Sequence, residues 1–353
     1  MDELKDNTAP DLAGEPPAAD PVAPAAEEPR PVEAPDQWVR VRELAVKQLD
    51  RFMSFEPKVL RGDDPDAIHD MRVASRRLQQ VLDLLYPKPR PKEVQRLRRS
   101  IRRSRRALGE VRNCDVLLLS VEKPLGRKRS ARREAWTAVK HYLLERRSES
   151  FVKAMRKMNK VNLAVFYVHT KELLLTPAAP QPHGHHPAGD PAPPQPTPLP
   201  FPERIAEALT GIWNAFVDQI ALSQRDTSGP VIHGVRIAAK RVRYLLEVVH
   251  EFEVAGSADA LAWLRRLQQH LGEWHDLEVL EQMMVEMLAR PAFLRDHLPL
   301  AMEVEKLILR DRQTKKEFEE KYFRMTRDSM EWQRLKDWVA YLLASPSAAF
   351  TKV

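Results

Sequence analysis

Apolar residues step along this chain by threes and fours. With His69 set at zero on a helix turning about 100° per residue, Met71, Ala74, Leu78, Leu82 and Leu85 fall within about 140–220°, a core-facing stripe. On the same wheel Arg72, Arg76 and Gln79 fall at about 300°, 340° and 280°, so the other side is polar and cationic. Period-two alternation of β-branched residues is hard to find, and Gly is scarce, with 11 in 353 residues, so strands are not expected. The pattern predicts an all-α chain. Each half reads as a first helix, a helix opening on His-x-x-Arg, an Arg-rich helix, and one or two longer helices over residues 127–175 and 300–344.

The pattern lapses twice. Residues 1–36 hold Pro, Ala and acids with almost no large apolar side chains, and burial there cannot offset the entropy of ordering; a disordered tail is expected. Residues 177–200 are a second Pro-rich stretch and read as a semi-extended linker. The expected organisation is therefore a tail over 1–36 and a helical domain over 37–345. Within that domain the first repeat is 37–176, the linker 177–200 and the second repeat 201–345.

The two halves align with each other. The run from Ile68 to Leu78 matches that from Ile232 to Val242 at an offset of 164 residues, which also pairs Arg40 with Arg204, Val41 with Ile205 and Phe52 with Phe216. Further on, LGEVRNCDVL from Leu108 matches LGEWHDLEVL from Leu271 at an offset of 163. Three blocks in order point to an old duplication, and to two helical bundles related by a pseudo-two-fold axis.

Charge sharpens the picture. The net +7 is the balance of −8 in residues 1–36, +18 in residues 37–176, −1 in the linker and −2 in residues 201–353. A half so basic should attract polyanions. Cys114 is the lone cysteine and the start, MDELKDNTAP, lacks the basic and apolar character of a secretory signal, so a cytoplasmic protein is expected. No run approaches the roughly 18 apolar residues of a membrane span, and no membrane association is expected.

The chemistry lies in the repeated motifs. His233, Arg236, Lys240 and Arg243 share one helical face at steps of three, four and three, and no acid interrupts the row. Surface helices normally intersperse acids at such spacings because like charges repel, so an external anion is implied. The row is kept in the second half although the charge around it has drifted to −2. Guanidinium forks grip phosphate oxygens in pairs, Lys adds a point charge, and imidazole donates a hydrogen bond or takes a proton beside dense negative charge. The third block adds Arg96, Arg98, Arg99, Arg102, Arg103, Arg105, Arg106 and Arg112, of which Arg102, Arg103 and Arg112 align with Arg265, Arg266 and His275. Residues present in both copies are the better site candidates, and the remaining arginines read as a wider electrostatic footprint.

The paired motifs that begin at His69 and His233, with LGEVRNCDVL and LGEWHDLEVL, resemble the CHAD family, the conserved histidine α-helical domain, over about residues 37–345. The resemblance implies two helical bundles about a pseudo-dyad with a basic groove or pore that binds inorganic polyphosphate. It further implies a stand-alone binding member associated with polyphosphate granules, without catalytic activity or cofactor. Carried over position by position, the anion site comprises His69, Arg72, Arg76 and Arg77 from the first motif and His233, Arg236, Lys240, Arg241 and Arg243 from the second. Arg102, Arg112, Arg265 and His275 line the same cavity. Two departures stand out: Gln79 occupies the place of Arg243, and Asn113 the place of Asp276.

Two other readings compete. Clustered arginines also bind DNA or RNA phosphates, although the motifs lack interleaved aromatics apart from Tyr244 and Trp274 and carry no nucleic-acid-binding fingerprint. A polyphosphate-processing enzyme would call for metal-holding carboxylates or an activated nucleophile, and the shared motifs repeat few acids. A metal at His69 or His233 is disfavoured by the surrounding cations.

Overall fold

The computed structural model describes residues 37–126, 132–176, 199–327 and 329–351. The tail over 1–36 and nearly all of the linker lie outside them. Every regular element among the described residues is a helix. The first half supplies α1 (Gln37–Ser54), α2 (Glu56–Arg61), α3 (Pro65–Leu85), α4 (Lys92–Ala107), α5 (Gly109–Leu125), α6 (Arg133–Met158) and α7 (Leu163–Leu175). The second supplies α8 (Phe201–Ser223), α9 (Gly229–Glu251), α10 (Ser257–Leu288), α11 (Pro291–Asp296), α12 (Leu298–Arg327), α13 (Met330–Ala344) and α14 (Pro346–Phe350). None of these helices is long and apolar enough to cross a membrane.

Local chemistry sets the boundaries that matter for the site. Asp64 caps α3, its side chain accepting from the Asp66 and Ala67 amides at 3.0 Å, and Pro65 occupies the first turn where its missing N–H costs nothing. The turn before α3 needs Gly62: its φ is +75°, and a Cβ there would lie 2.4 Å from the Phe151 ring. The Arg-rich stretch breaks at Leu108 into α4 and α5, whereas the aligned stretch of the second half runs on as the single 32-residue α10.

The order of helices in one half parallels that in the other: α1 packs on α3 as α8 packs on α9, and α5 on α6 as α10 on α12. The hydrophobic cores, however, do not divide at the linker. The larger one joins Leu49, Phe52, Ile68, Met71 and Leu78 to Phe216, Val235, Leu245 and Leu264. The smaller one joins Leu117, Val121, Trp136 and Leu143 to Leu280, Met283, Met284 and Leu307. Each core therefore draws on both halves, and burial of each large aliphatic side chain contributes about 1.5–3 kcal/mol to holding them together. The described residues, from Gln37 onward, form one unit. Its two motif helices, α3 and α9, touch directly.

Candidate functional site: a half-buried cationic cluster between the halves

The apolar stripe of α3 (Ile68, Met71, Ala74, Leu78, Leu82) is fully buried, as is that of α9 (Ile232, Val235, Ala239, Val242, Leu246), which leaves the cationic side of each helix no choice of direction. The Arg77 guanidinium on α3 donates to the Glu247 carboxylate on α9 at 2.8 Å and fixes how the two helices meet. The cationic rows then converge. Arg76 of the first half lies close enough to Arg236 and Lys240 of the second to act on the charge of both, and it acts on Arg72 and Arg105 as well. Arg112 on α5 acts on His69, on Arg72 and across to Asp276 on α10.

Burial and mutual repulsion together load this cluster. The Lys240 ammonium is pushed down to about 6, first by loss of water and then by Arg236, Arg76, Arg243 and Arg72. His275 is driven to about 3 by burial, with Arg236, His233 and Lys240 adding to it, and burial also lowers His69 and His233. Arg72 falls to about 9 and Arg105 to about 10, again by burial first and neighbouring guanidinium groups second; Arg236 is lowered by burial and by Arg76. Since a guanidinium keeps its proton in proteins, those shifts measure an unfavourable field that a bound anion would relieve. At a separation of 6 Å and an effective dielectric near 20, one like-charge pair costs about 3 kcal/mol. Carboxylates answer this group only at its edges, Glu247 against Arg243 at 3.5 Å and Asp66 and Asp70 beside His69, apart from Asp276, which burial raises towards its neutral form against the pull of Arg236, Arg112 and Lys240.

Hydrogen bonding differs between the contributions of the two halves. Arg72 Nη1 donates to the Arg105 carbonyl, which the break at Leu108 leaves without its usual helical donor, and Arg105 Nη1 donates to Gln79 Oε1 at 2.9 Å. On the other side, His233 Nδ1 and Arg236 Nε are buried without a hydrogen-bond partner among the described residues, as are Arg243 Nε and, from α5, Arg112 Nη1. The His233 and His275 rings sit 4.7 Å apart at 43°. Buried donors left open in this way are costly, about 1–3 kcal/mol each, and call for an explanation.

Nine of the thirteen expected residues thus come together: His69, Arg72, Arg76, Arg112, His233, Arg236, Lys240, Arg243 and His275. Four do not. Arg77 and Arg265 line a separate cleft with Gln48, Tyr244, Glu247 and His250, and Arg77 is committed to Glu247. Arg102 and Arg241 are exposed. The reason is helical phase: Arg77 and Arg241 follow the stripe by one position and project about 100° away from it. Two contributors escaped the sequence reading. Arg105, which the sequence places in the wider footprint, is half-buried in the cluster and held by Gln79. Gln79 therefore does not leave its end of the site without a cation, because α4 brings one there. Asp276 entered the sequence reading only as a departure between the copies, with no place in the site.

Comparison with known proteins agrees with this architecture. A model of the CHAD domain matches residues 43–285, a shorter span than the resemblance suggested, ending within α10. Among solved structures, the CHAD domain from the plant Ricinus communis superposes with a TM-score of 0.52 at 20% identity, covering 88% of this chain and 92% of that one. PptA from Streptomyces chartreusis superposes with a TM-score of 0.52 at 15% identity, covering 86% of this chain and 100% of that one. At these identities the likeness speaks for the fold alone. No curated protein sequence matches. The family model spans most of the all-helical body and includes both motif helices, and the chain belongs to the CHAD-domain family.

Proposed function

We propose that this protein binds inorganic polyphosphate in the cationic cluster between α3 and α9, as a binding module without catalysis, and that it associates with polyphosphate granules. The observation that carries this reading is the convergence of Arg72, Arg76, Arg105, Arg112, Arg236, Lys240 and Arg243 from both halves, which Asp276 and, at the Arg243 end, Glu247 balance only in part. Such a group is electrostatically incomplete, and a flexible chain of closely spaced phosphates would complete it. Its oxygens would accept from the open donors on Arg112, His233, Arg236 and Arg243, and its charge would return protons to Lys240 and the histidines. The two helical rows would be equivalent contributions from a duplicated ancestor, gripping one ligand from two sides.

The test is calorimetric titration of long-chain polyphosphate into the wild-type protein and into Arg236→Gln/Lys240→Gln. Submicromolar binding by the wild type and at least 100-fold weaker binding by the double variant are expected. Equal binding by the two proteins would move the ligand elsewhere on the molecule.

A further inference from the structure

The first half carries a second concentration of cations that the half-buried cluster does not use. On α4, Val94, Leu97, Ile101, Ser104 and Ala107 turn into the protein. Of the arginines, Arg98 pairs with Asp83 and Arg105 enters the cluster. The others, Arg96, Arg99, Arg102, Arg103 and Arg106, are exposed, and with Lys92 they make a ridge on the outer side of the helix. Among the described residues none of these six has a carboxylate partner within ion-pairing distance. At 1.5 Å per residue the ridge runs for roughly 21 Å along the helix axis, in steps of about 4.5–6 Å except between the neighbours Arg102 and Arg103. The second half keeps only the pair Arg265 and Arg266, aligned with Arg102 and Arg103; it holds Asp259 for Arg96, Ala262 for Arg99 and Gln269 for Arg106.

We propose that the exposed arginine ridge of α4 is a docking surface for the phosphate backbone of duplex nucleic acid, separate from the half-buried cluster. Three features select that partner. The ridge is rigid and convex, which suits a stiff rod better than a flexible chain that gains most where donors converge from several sides. Arginine makes up five of its six cations, and guanidinium forks grip phosphate oxygens bidentately. No aromatic side chain lies on α4 to stack an unpaired base, so the surface would read backbone charge and not sequence. An anionic membrane fits less well, because the large apolar residues of α4 are buried and leave no anchor to insert.

The experiment measures anisotropy of a labelled 30-base-pair duplex with the full chain, across a salt series, beside titrations with polyphosphate and with phosphatidylserine vesicles. For Arg96→Gln/Arg99→Gln/Arg103→Gln, with folding checked by circular dichroism, duplex affinity is expected to drop at least tenfold. The slope of log affinity against log salt should become shallower by about 2.7, or about 0.9 per lost phosphate contact, while polyphosphate affinity stays within twofold. The corresponding triple lysine variant keeps the charge and should retain most of the duplex affinity. In His233→Gln/Arg236→Gln duplex binding should persist. The proposal is overturned by a wild type that ignores the duplex at low salt or binds vesicles in its place. It is equally overturned by duplex binding that survives loss of the ridge, or that vanishes with the His233/Arg236 pair.

Discussion

The same His-x-x-Arg motif occurs on α3 and α9, and the protein treats the two copies differently. On α3, Arg72 is engaged: its guanidinium donates to the Arg105 carbonyl at the break between α4 and α5, and Arg105 is held in turn by Gln79. On α9, Arg236 Nε and His233 Nδ1 are buried without a hydrogen-bond partner among the described residues, beside a lysine and a second imidazole that burial and neighbouring cations push towards their neutral forms. α10 runs unbroken through the stretch aligned with the α4–α5 junction, and the residue aligned with Arg105 is Gln268, whose amide is spent on the Ala239 carbonyl at 2.9 Å. The comparison separates two uses of one motif. The first copy joins ligand binding to the integrity of a helix junction, and the second is kept open for the ligand at a cost in stability.

That difference can be broken by mutation. The largest effect is expected at the open copy: Arg236→Gln should weaken polyphosphate binding by about 100-fold, the scale of one lost charge-assisted contact at about 1.5–3 kcal/mol plus its field. The same change should leave thermal stability unchanged or slightly higher, because it removes an unpaired buried charge. Arg72→Gln should do the reverse, costing about 1–3 kcal/mol of stability through the unsatisfied Arg105 carbonyl and weakening binding by about tenfold. Urea unfolding and calorimetry on the two variants check this, and equal destabilisation by both would erase the distinction.

Next in size is a dependence on pH. Lys240 has a folded-state value near 6 against about 10.5 when unfolded, so between those limits the unfolded chain binds more protons and stability of the free protein rises with pH. His275 extends the same sign to lower pH, with stability falling as pH drops from about 6.5 towards 3. Denaturation midpoints from pH 6 to 10 should climb, and Lys240→Met should flatten the climb. Binding carries the opposite sign: polyphosphate should drive proton uptake at pH 8, seen as a buffer-dependent enthalpy, and its affinity should increase as pH falls.

The smaller effects concern the acids. Asp276→Asn removes the carboxylate that opposes Arg236, Arg112 and Lys240 and should raise affinity by about three- to fivefold. Glu247→Gln releases Arg77 and Arg243, which it engages at 2.8 and 3.5 Å, and should cost about 1 kcal/mol of stability with no more than a twofold gain in affinity.

The sequence disclosed the helices, the repeated blocks and the two cationic rows because each is written in local periodicity. Arg77 and Arg241 belong to the repeated motif and not to the site, because their phase, one position beyond the stripe, points them away from it. Arg105 was hidden for another reason. Its inward turn follows from lying beside buried Ser104, seven residues after Arg98, which lies beside Leu97 in the same way. That signal is weak in a helix with so many arginines, and its partner Gln79 comes from another helix. The cores that span both halves were illegible, because an apolar stripe says that it is buried and not against what. The open donors of α9 depend on how α9, α10 and α3 meet, which no single segment encodes.

The most direct test is a competition titration at about 0.15 M salt, where exposed charges are largely screened and half-buried ones are screened less. Long-chain polyphosphate competes against duplex DNA and single-stranded RNA for the wild type and for the His69/Arg72/His233/Arg236 quadruple glutamine variant. The account predicts strong preference for polyphosphate in the wild type and its collapse in the variant, with the weaker nucleic-acid binding little changed. Polyphosphate binding that survives all four substitutions would contradict it, and would reduce the converging rows to a structural feature of the fold.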